Sequence, residues 1–192
     1  MNLPGGLKVH FRPILPTDEN LLRELFYSHT PSTIYQRYFS ALKHLPHQTV
    51  QQMVTLDYRD AMAIVGEIPC EGRKRLIAVG RYYRNPATQW AEVAVVVQED
   101  FRRRGIADFL LRHLARVAAQ QGIIGFTADV LADNFAMLDS FRKVATPVEV
   151  QSKAGPRQRE VPAQGCEAGV VNQPAFFTRI STNCREFKYA EN

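Results

Sequence analysis

The chain has 192 residues, is 45% hydrophobic, and carries a formal net charge of +5 from 24 lysines and arginines against 19 acidic side chains. That apolar content suits one buried globular domain over residues 1–192 and falls short of two, while the longest apolar runs stay far below the roughly 20 residues of a membrane-spanning helix. The basic balance favours an anionic small ligand; nucleic-acid binding calls for aromatics interleaved across a broad basic surface, and here the arginines concentrate at one point.

In chain order, residues 7–14 alternate and read as a strand stopped by Pro13. Pro16, Thr17 and Asp18 then offer a start for a helix whose apolar face is Leu21, Leu22, Leu25 and Phe26. A second helix is expected from Ser32, and a third from Pro46 and His47 to Leu56. Residues 61–68 read as a buried strand, a turn over 69–74 leads into a strand over 75–84, and Asn85-Pro86-Ala87-Thr88 returns the chain into a third strand over 89–98. The last strand of this meander is apolar on both faces, which places it at the centre of a sheet. Ile106, Leu110, Leu114 and Val117 make the stripe of a helix over 104–121 ending at Gly122. A strand over 123–131 follows, then a helix capped by Asp133 or Asn134 and running to Val144; strand, helix, strand implies a parallel pair. Residues 151–174, rich in Gly, Pro and polar side chains without a period, are expected to form a mobile loop, with a last strand after it near 176–180 or 185–189.

The informative segment is VAVVVQEDFRRRGIA, residues 93–107: an apolar run, a polar turn, three arginines, and Gly105 opening a helix. Helix starts are already electropositive, so Arg102, Arg103 and Arg104, taken as unpaired, point to a bound anion such as a phosphate, which Gly105 lets approach the main chain. Cys70, Cys166 and Cys184 fit no metal or redox spacing, and the N-terminus lacks the apolar core of a secretory leader; both point to a cytoplasmic location. His44 and His47 have no carboxylate or cysteine beside them, so no metal is expected.

Arg102-Arg103-Arg104-Gly105-Ile106-Ala107 resembles the Arg/Gln-x-x-Gly-x-Gly/Ala signature of the GNAT N-acetyltransferases, set, as there, between an apolar strand and a helix. Asp129-Val130-Leu131-Ala132-Asp133-Asn134 is similar to that family's next strand and helix start. Phe11-Arg12-Pro13-Ile14, Tyr35-Gln36-Arg37-Tyr38-Phe39-Ser40 and Asp57-Tyr58-Arg59-Asp60-Ala61-Met62-Ala63-Ile64-Val65 resemble the GNAT domain of bacterial Pat-type protein lysine acetyltransferases. The resemblance covers residues 8–148 and implies an α/β fold, a single domain with a central mixed, mostly antiparallel sheet of six to seven strands flanked by helices.

It also implies acetyl-CoA as cosubstrate. Arg102, Arg103, Arg104, Gly105, Ile106 and Ala107 would hold its pyrophosphate, and the main chain of Val95 and Val97 its pantetheine arm and thioester. Asn134 would bind pantetheine or cap its helix. Glu92, in Ala91-Glu92-Val93-Ala94-Val95-Val96-Val97, stands where relatives carry a general base, and partial burial would suit it to that work; the other reading pairs it with Arg81 or Arg84. Phe141 stands where many relatives have a tyrosine that protonates the leaving thiolate, which leaves Tyr82, Tyr83 or water. Tyr35, Tyr38 and Phe39 would border the acceptor cleft or pack in the core. The implied acceptor is a protein lysine; a small amine, or a non-catalytic acyl-CoA sensor, are the other readings. The sequence assigns no oligomeric state.

Overall fold

The computed structural model describes residues 1–38, 42–144, 148–153 and 177–183. Its sheet begins with β1 (His10–Pro13), antiparallel to β2 (Ala61–Cys70), which pairs with β3 (Arg73–Arg84), which pairs with β4 (Trp90–Val97). β4 runs parallel to β5 (Gly125–Leu131), as the strand-helix-strand order requires. β6 (Val148–Lys153) and β7 (Phe177–Asn183) extend the sheet beyond β5 in the order β5-β7-β6. The part from β1 to β5 is thus mostly antiparallel, whereas both ladders of the extension are parallel.

The meander follows its sequence pattern closely. Its first hairpin is tighter than the expected turn over 69–74, because Pro69 still pairs with Lys74. Only Glu71 and Gly72 turn the chain, both with positive φ, 48° and 76°, which is the two-residue geometry that matches strand twist. β7 occupies the first of the two positions expected for a last strand; the other, 185–189, lies outside the described residues, as do Phe39, Ser40, Cys166 and Cys184. The start of the expected loop over 151–174 is corrected: residues 151–153 belong to β6, and 154–174 lie outside the described residues.

Alternation along the strands divides the interior in two. On one face α1 (Glu19–Tyr27), α2 (Pro31–Tyr38) and α3 (His47–Val54) surround a cluster that includes Leu22, Leu25, Phe26, Val50, Val65 and Val79. On the other lies α4 (Ile106–Gln120), with Ile106, Leu110 and Leu114 of the predicted stripe buried and Val117 half-buried against the same cluster. α4 settles against β3 at Gly80, where a Cβ would come within 3.0 Å of a Leu114 methyl. α5 (Phe135–Val144) follows β5 and adds Leu138 and Phe141 to that cluster. No helix of the described residues is long and apolar enough to cross a membrane.

Candidate active site

β4 and β5 pair only at their first turns, from Trp90 opposite Gly125 to Glu92 opposite Thr127, and part beyond that point. A cleft of about 690 Å³ opens between them, bounded by α2, the arginine turn and the start of α5. On its β3 side β4 stays fully paired, and the Gln98 N–H donates to the Ile77 carbonyl at 2.8 Å. The two-residue alternation of an antiparallel ladder therefore turns the main chain of Ala94 and Val96 toward β3 and that of Val95 and Val97 toward the parted edge. Contacts from that edge agree: Ile124 N–H reaches the Gln89 carbonyl at 2.9 Å, and Arg102 Nε the Val97 carbonyl at 3.2 Å.

The arginine turn departs from its expected form at Arg102. Its Nη2 donates to Thr33 Oγ1 at 2.6 Å and lies 3.7 Å from Glu99, while its N–H bonds the Glu99 carbonyl at 3.1 Å. Arg102 is thus tied to α2 rather than unpaired, and its partners stand 69 residues upstream and three residues before it. Glu99 is the hub of this cluster. Burial pushes its carboxyl up, but the Thr33 hydroxyl at 2.6 Å, the Thr30 N–H at 3.0 Å and His29 outweigh that and hold it down at about 2. Arg103 and Arg104 remain exposed, Arg104 with its guanidinium 5.6 Å from the Phe101 ring centre. Arg103 and Gly105 both have positive φ, 59° and 77°; in an arginine that conformation is uncommon and marks a site worth attention. The Ile106 side chain is 1% exposed and belongs to the core, so only its main chain can meet a ligand, while Ala107 lines the cleft.

Glu92 is exposed, not partly buried. The helices cover its face of β4 further along, where Phe26 and Ile34 close over Ala94 and Val96, and leave the Glu92 end open. Neither arginine expected as a partner takes it. Arg84 Nη1 bonds Asp60 at 3.4 Å and the Gln121 carbonyl at 3.2 Å, and Arg81 Nη1 donates to the Tyr83 hydroxyl at 3.3 Å. Glu92 stands opposite Tyr83 in the ladder and near Arg37, whose charge it favours.

Asn134 lines the cleft and caps α5, its Oδ1 accepting the Met137 N–H at 3.3 Å. Phe141 is 3% exposed. Of the tyrosines considered in its stead, Tyr82 is ruled out by position: it is wholly buried on the α4 face, its hydroxyl bonds the Arg59 carbonyl, and burial pushes it up to about 12. Tyr83, 41% exposed, lies on the Glu92 face. The described residues contain no cluster able to hold a metal ion.

A sequence profile of the acetyltransferase (GNAT) family matches residues 26–145. The chain belongs to the GNAT family. An acetyltransferase of Pseudomonas aeruginosa is 28% identical over 138 residues, 72% of this chain and 74% of that protein. The acetyltransferase Pat of Mycolicibacterium smegmatis is 32% identical over 130 residues, 67% of this chain but 38% of that protein, so the chain spans well under half of this relative. Among solved structures, the GNAT domain of S. lividans PAT superposes with a TM-score of 0.66 at 30% identity, covering 75% of this chain and 84% of that one.

The GNAT fold implies acetyl-CoA binding, and the cleft has the chemistry for it: main-chain groups along a parted strand for the amide-bearing arm, exposed cations at a helix start for phosphates. Three residues of this GNAT site were given no role by the sequence reading: Thr33 and Glu99, which fix Arg102, and Arg37, which stands near Glu92; Arg81 was considered only as a partner of Glu92.

Proposed function

We propose that this GNAT protein transfers the acetyl group of acetyl-CoA to a protein lysine by direct attack. The observation that carries the proposal is the parting of β4 from β5, which leaves the Val95 and Val97 main chain facing a cleft that ends at the arginine turn. Arg103, Arg104 and the N–H groups of Gly105, Ile106 and Ala107 bind the pyrophosphate, and Arg102 holds the turn. The Val95 and Val97 amides bind the arm and polarise the thioester carbonyl.

A lysine amine titrates near 10.4, so only about one in 10³ is neutral at pH 7 and a base is needed. Glu92 takes that proton, directly or through one water. The amine nitrogen adds to the thioester carbon, the carbon–sulfur bond breaks, and the thiolate leaves with the electron pair. Phe141 has no proton to give and Tyr82 is out of reach, which leaves Tyr83 or water to protonate the thiolate. A protein acceptor is favoured over a compact cationic amine by the resemblance to Pat-type GNAT domains; of the amino-terminal carboxylates, Asp18 is engaged by Arg12 and Glu19 by Arg23 and His47.

The test follows thiol release from acetyl-CoA with protein and small-amine acceptors. Glu92→Gln should keep acetyl-CoA affinity while the transfer rate falls by about 10² or more at neutral pH. Wild-type turnover in the variant removes Glu92 from the mechanism. A clear preference for one free amine over every protein tried removes the lysine acceptor.

A further inference from the structure

Arg81 is the one arginine of the described residues counted as buried, at 4% exposed, and no described carboxylate pairs with it. Arg37 is half-buried, lies with its guanidinium 5.1 Å from the Tyr38 ring centre, and has no described carboxylate partner either. Burial pulls Arg37 below its ordinary value, and Arg81 stands close enough to disfavour its charge further, while Tyr38 and Glu92 favour it. A guanidinium offers five donors in a planar fork suited to a carboxylate, and burying one without a counterion is costly. The other buried charges of the described residues, Asp18 and Glu67, are both neutralised by Arg12.

The placement of the two arginines is what gives them meaning. Arg81 stands opposite Ala94 on the β3–β4 ladder, one alternate position from the Tyr83–Glu92 pair, so Arg81 and Glu92 share a face as diagonal neighbours. A second cavity, about 20 Å³, lies behind Ala94, and Arg37, Thr33, Ala94 and Val96 border both it and the large cleft. Arg37 lines the large cleft directly, whereas Arg81 borders only the small cavity behind it. A negative group in the cleft meets Arg37 first, with Arg81 behind it on the same sheet face as Glu92.

We infer that Arg37 and Arg81 recognise a carboxylate on a substrate, carried either by the acyl group at its far end or by the acceptor beside its amine. This rests on the acyl-transfer reading of the cleft for the location of the chemistry. The carboxylate accepts paired hydrogen bonds from the two guanidiniums, relieves their mutual repulsion, and fixes the reacting end relative to Glu92.

Two matched arms separate the sources. In the acyl arm, succinyl-CoA is compared with acetyl-CoA, both by calorimetric affinity and by thiol release. In the acceptor arm, peptides with glutamate or glutamine next to one lysine are compared in the presence of CoA for binding, and with acetyl-CoA for turnover. One arm should show a preference of at least about tenfold for the carboxylate member. That ratio should fall to near one in Arg37→Gln and in Arg81→Met, with Arg37→Lys retaining part of it. Melting curves confirm that each variant is folded. Ratios within twofold in both arms of the wild type, or a preference that survives both substitutions, overturn the inference. The binding measurements decide between these outcomes even if no acceptor is acetylated, a result that counts against the acyl-transfer reading alone.

Discussion

At the β1–β2 edge Arg12 grips two buried carboxylates, while beside the cleft Arg37 and Arg81 grip none. Arg12 sends Nη1 and Nη2 to Asp18 at 2.6 and 2.9 Å and Nε to Glu67 at 2.8 Å, and His10 and Lys74 complete the Glu67 carboxylate. Burial pushes Asp18 and Glu67 up, but these hydrogen bonds outweigh it and leave both below their ordinary values, while Arg12 itself is raised, chiefly by Asp18. Arg37 shows the reverse, with burial dominant and its proton loosened. A fold that neutralises charge within itself at one edge and leaves it open at the cleft is using the same side chain for two purposes, structure and recognition.

The sharpest way to break this contrast is to remove one arginine from each region. Arg12→Met leaves Asp18 buried without a cation and Glu67 with only Lys74 and His10, so denaturant unfolding should show a loss of about 3–5 kcal/mol. Arg81→Met removes a charge with no described carboxylate partner and keeps the apolar stem, so its stability should change by less than about 1 kcal/mol or rise. A loss from Arg81→Met as large as that from Arg12→Met would mean that Arg81 is neutralised within the chain, and the two regions would no longer differ.

The Glu99 cluster behaves like the Arg12 region, and pH reveals it. Its carboxyl, held at about 2 against an ordinary 4.5, adds stability that is complete above 4.5 and is lost as the pH falls from 4.5 toward 2. His29 acts in the same direction: burial keeps it neutral in the folded protein, while the unfolded chain takes up a proton below about 6.5, so stability declines as the pH drops through that range. Unfolding curves from pH 7 to pH 3 should therefore show a progressive loss, and Glu99→Gln should be weaker at pH 7 with a flatter acid limb. An acid limb as steep in the variant as in the wild type would place the loss elsewhere.

The elements from β1 to α5 were legible in the sequence, because each is written in local pattern: the alternation before Pro13, the turn residues of the meander, the 3.6-residue stripe of α4; β6 was not, and residues 151–153 read as loop. The helix start after three arginines and the Asn134 cap were legible for the same reason. What was not legible depends on distant partners. Arg102 reads as a free cation until Thr33, 69 residues away, is brought onto it. The Arg37–Arg81 pair needs α2 brought onto the sheet beside β4, and the exposure of Glu92 depends on where the helices stop covering β4. The parting of β4 from β5 after three registers leaves no mark in either strand, since both continue in good strand sequence.

The smallest expected effect falls on Asn134, which belongs to both sides of the contrast. Its Oδ1 is engaged in capping α5 through the Met137 N–H, whereas its amide nitrogen is available to a ligand in the cleft. Asn134→Ala removes both groups and should cost about 1 kcal/mol of stability, as loss of a cap usually does. Asn134→Asp keeps the capping oxygen and adds a negative charge at a helix start, which is favourable, so its stability should stay within a few tenths of a kcal/mol of wild type or exceed it. The aspartate has no amide donor, however, and it places an anion in a cleft proposed for a polyanionic substrate. Acetyl-CoA affinity should therefore fall in Asn134→Asp while the melting temperature of the free protein holds. If affinity is unchanged in Asn134→Asp and stability alone falls in Asn134→Ala, Asn134 is a helix cap and nothing more, and the pantetheine contacts rest on β4 alone.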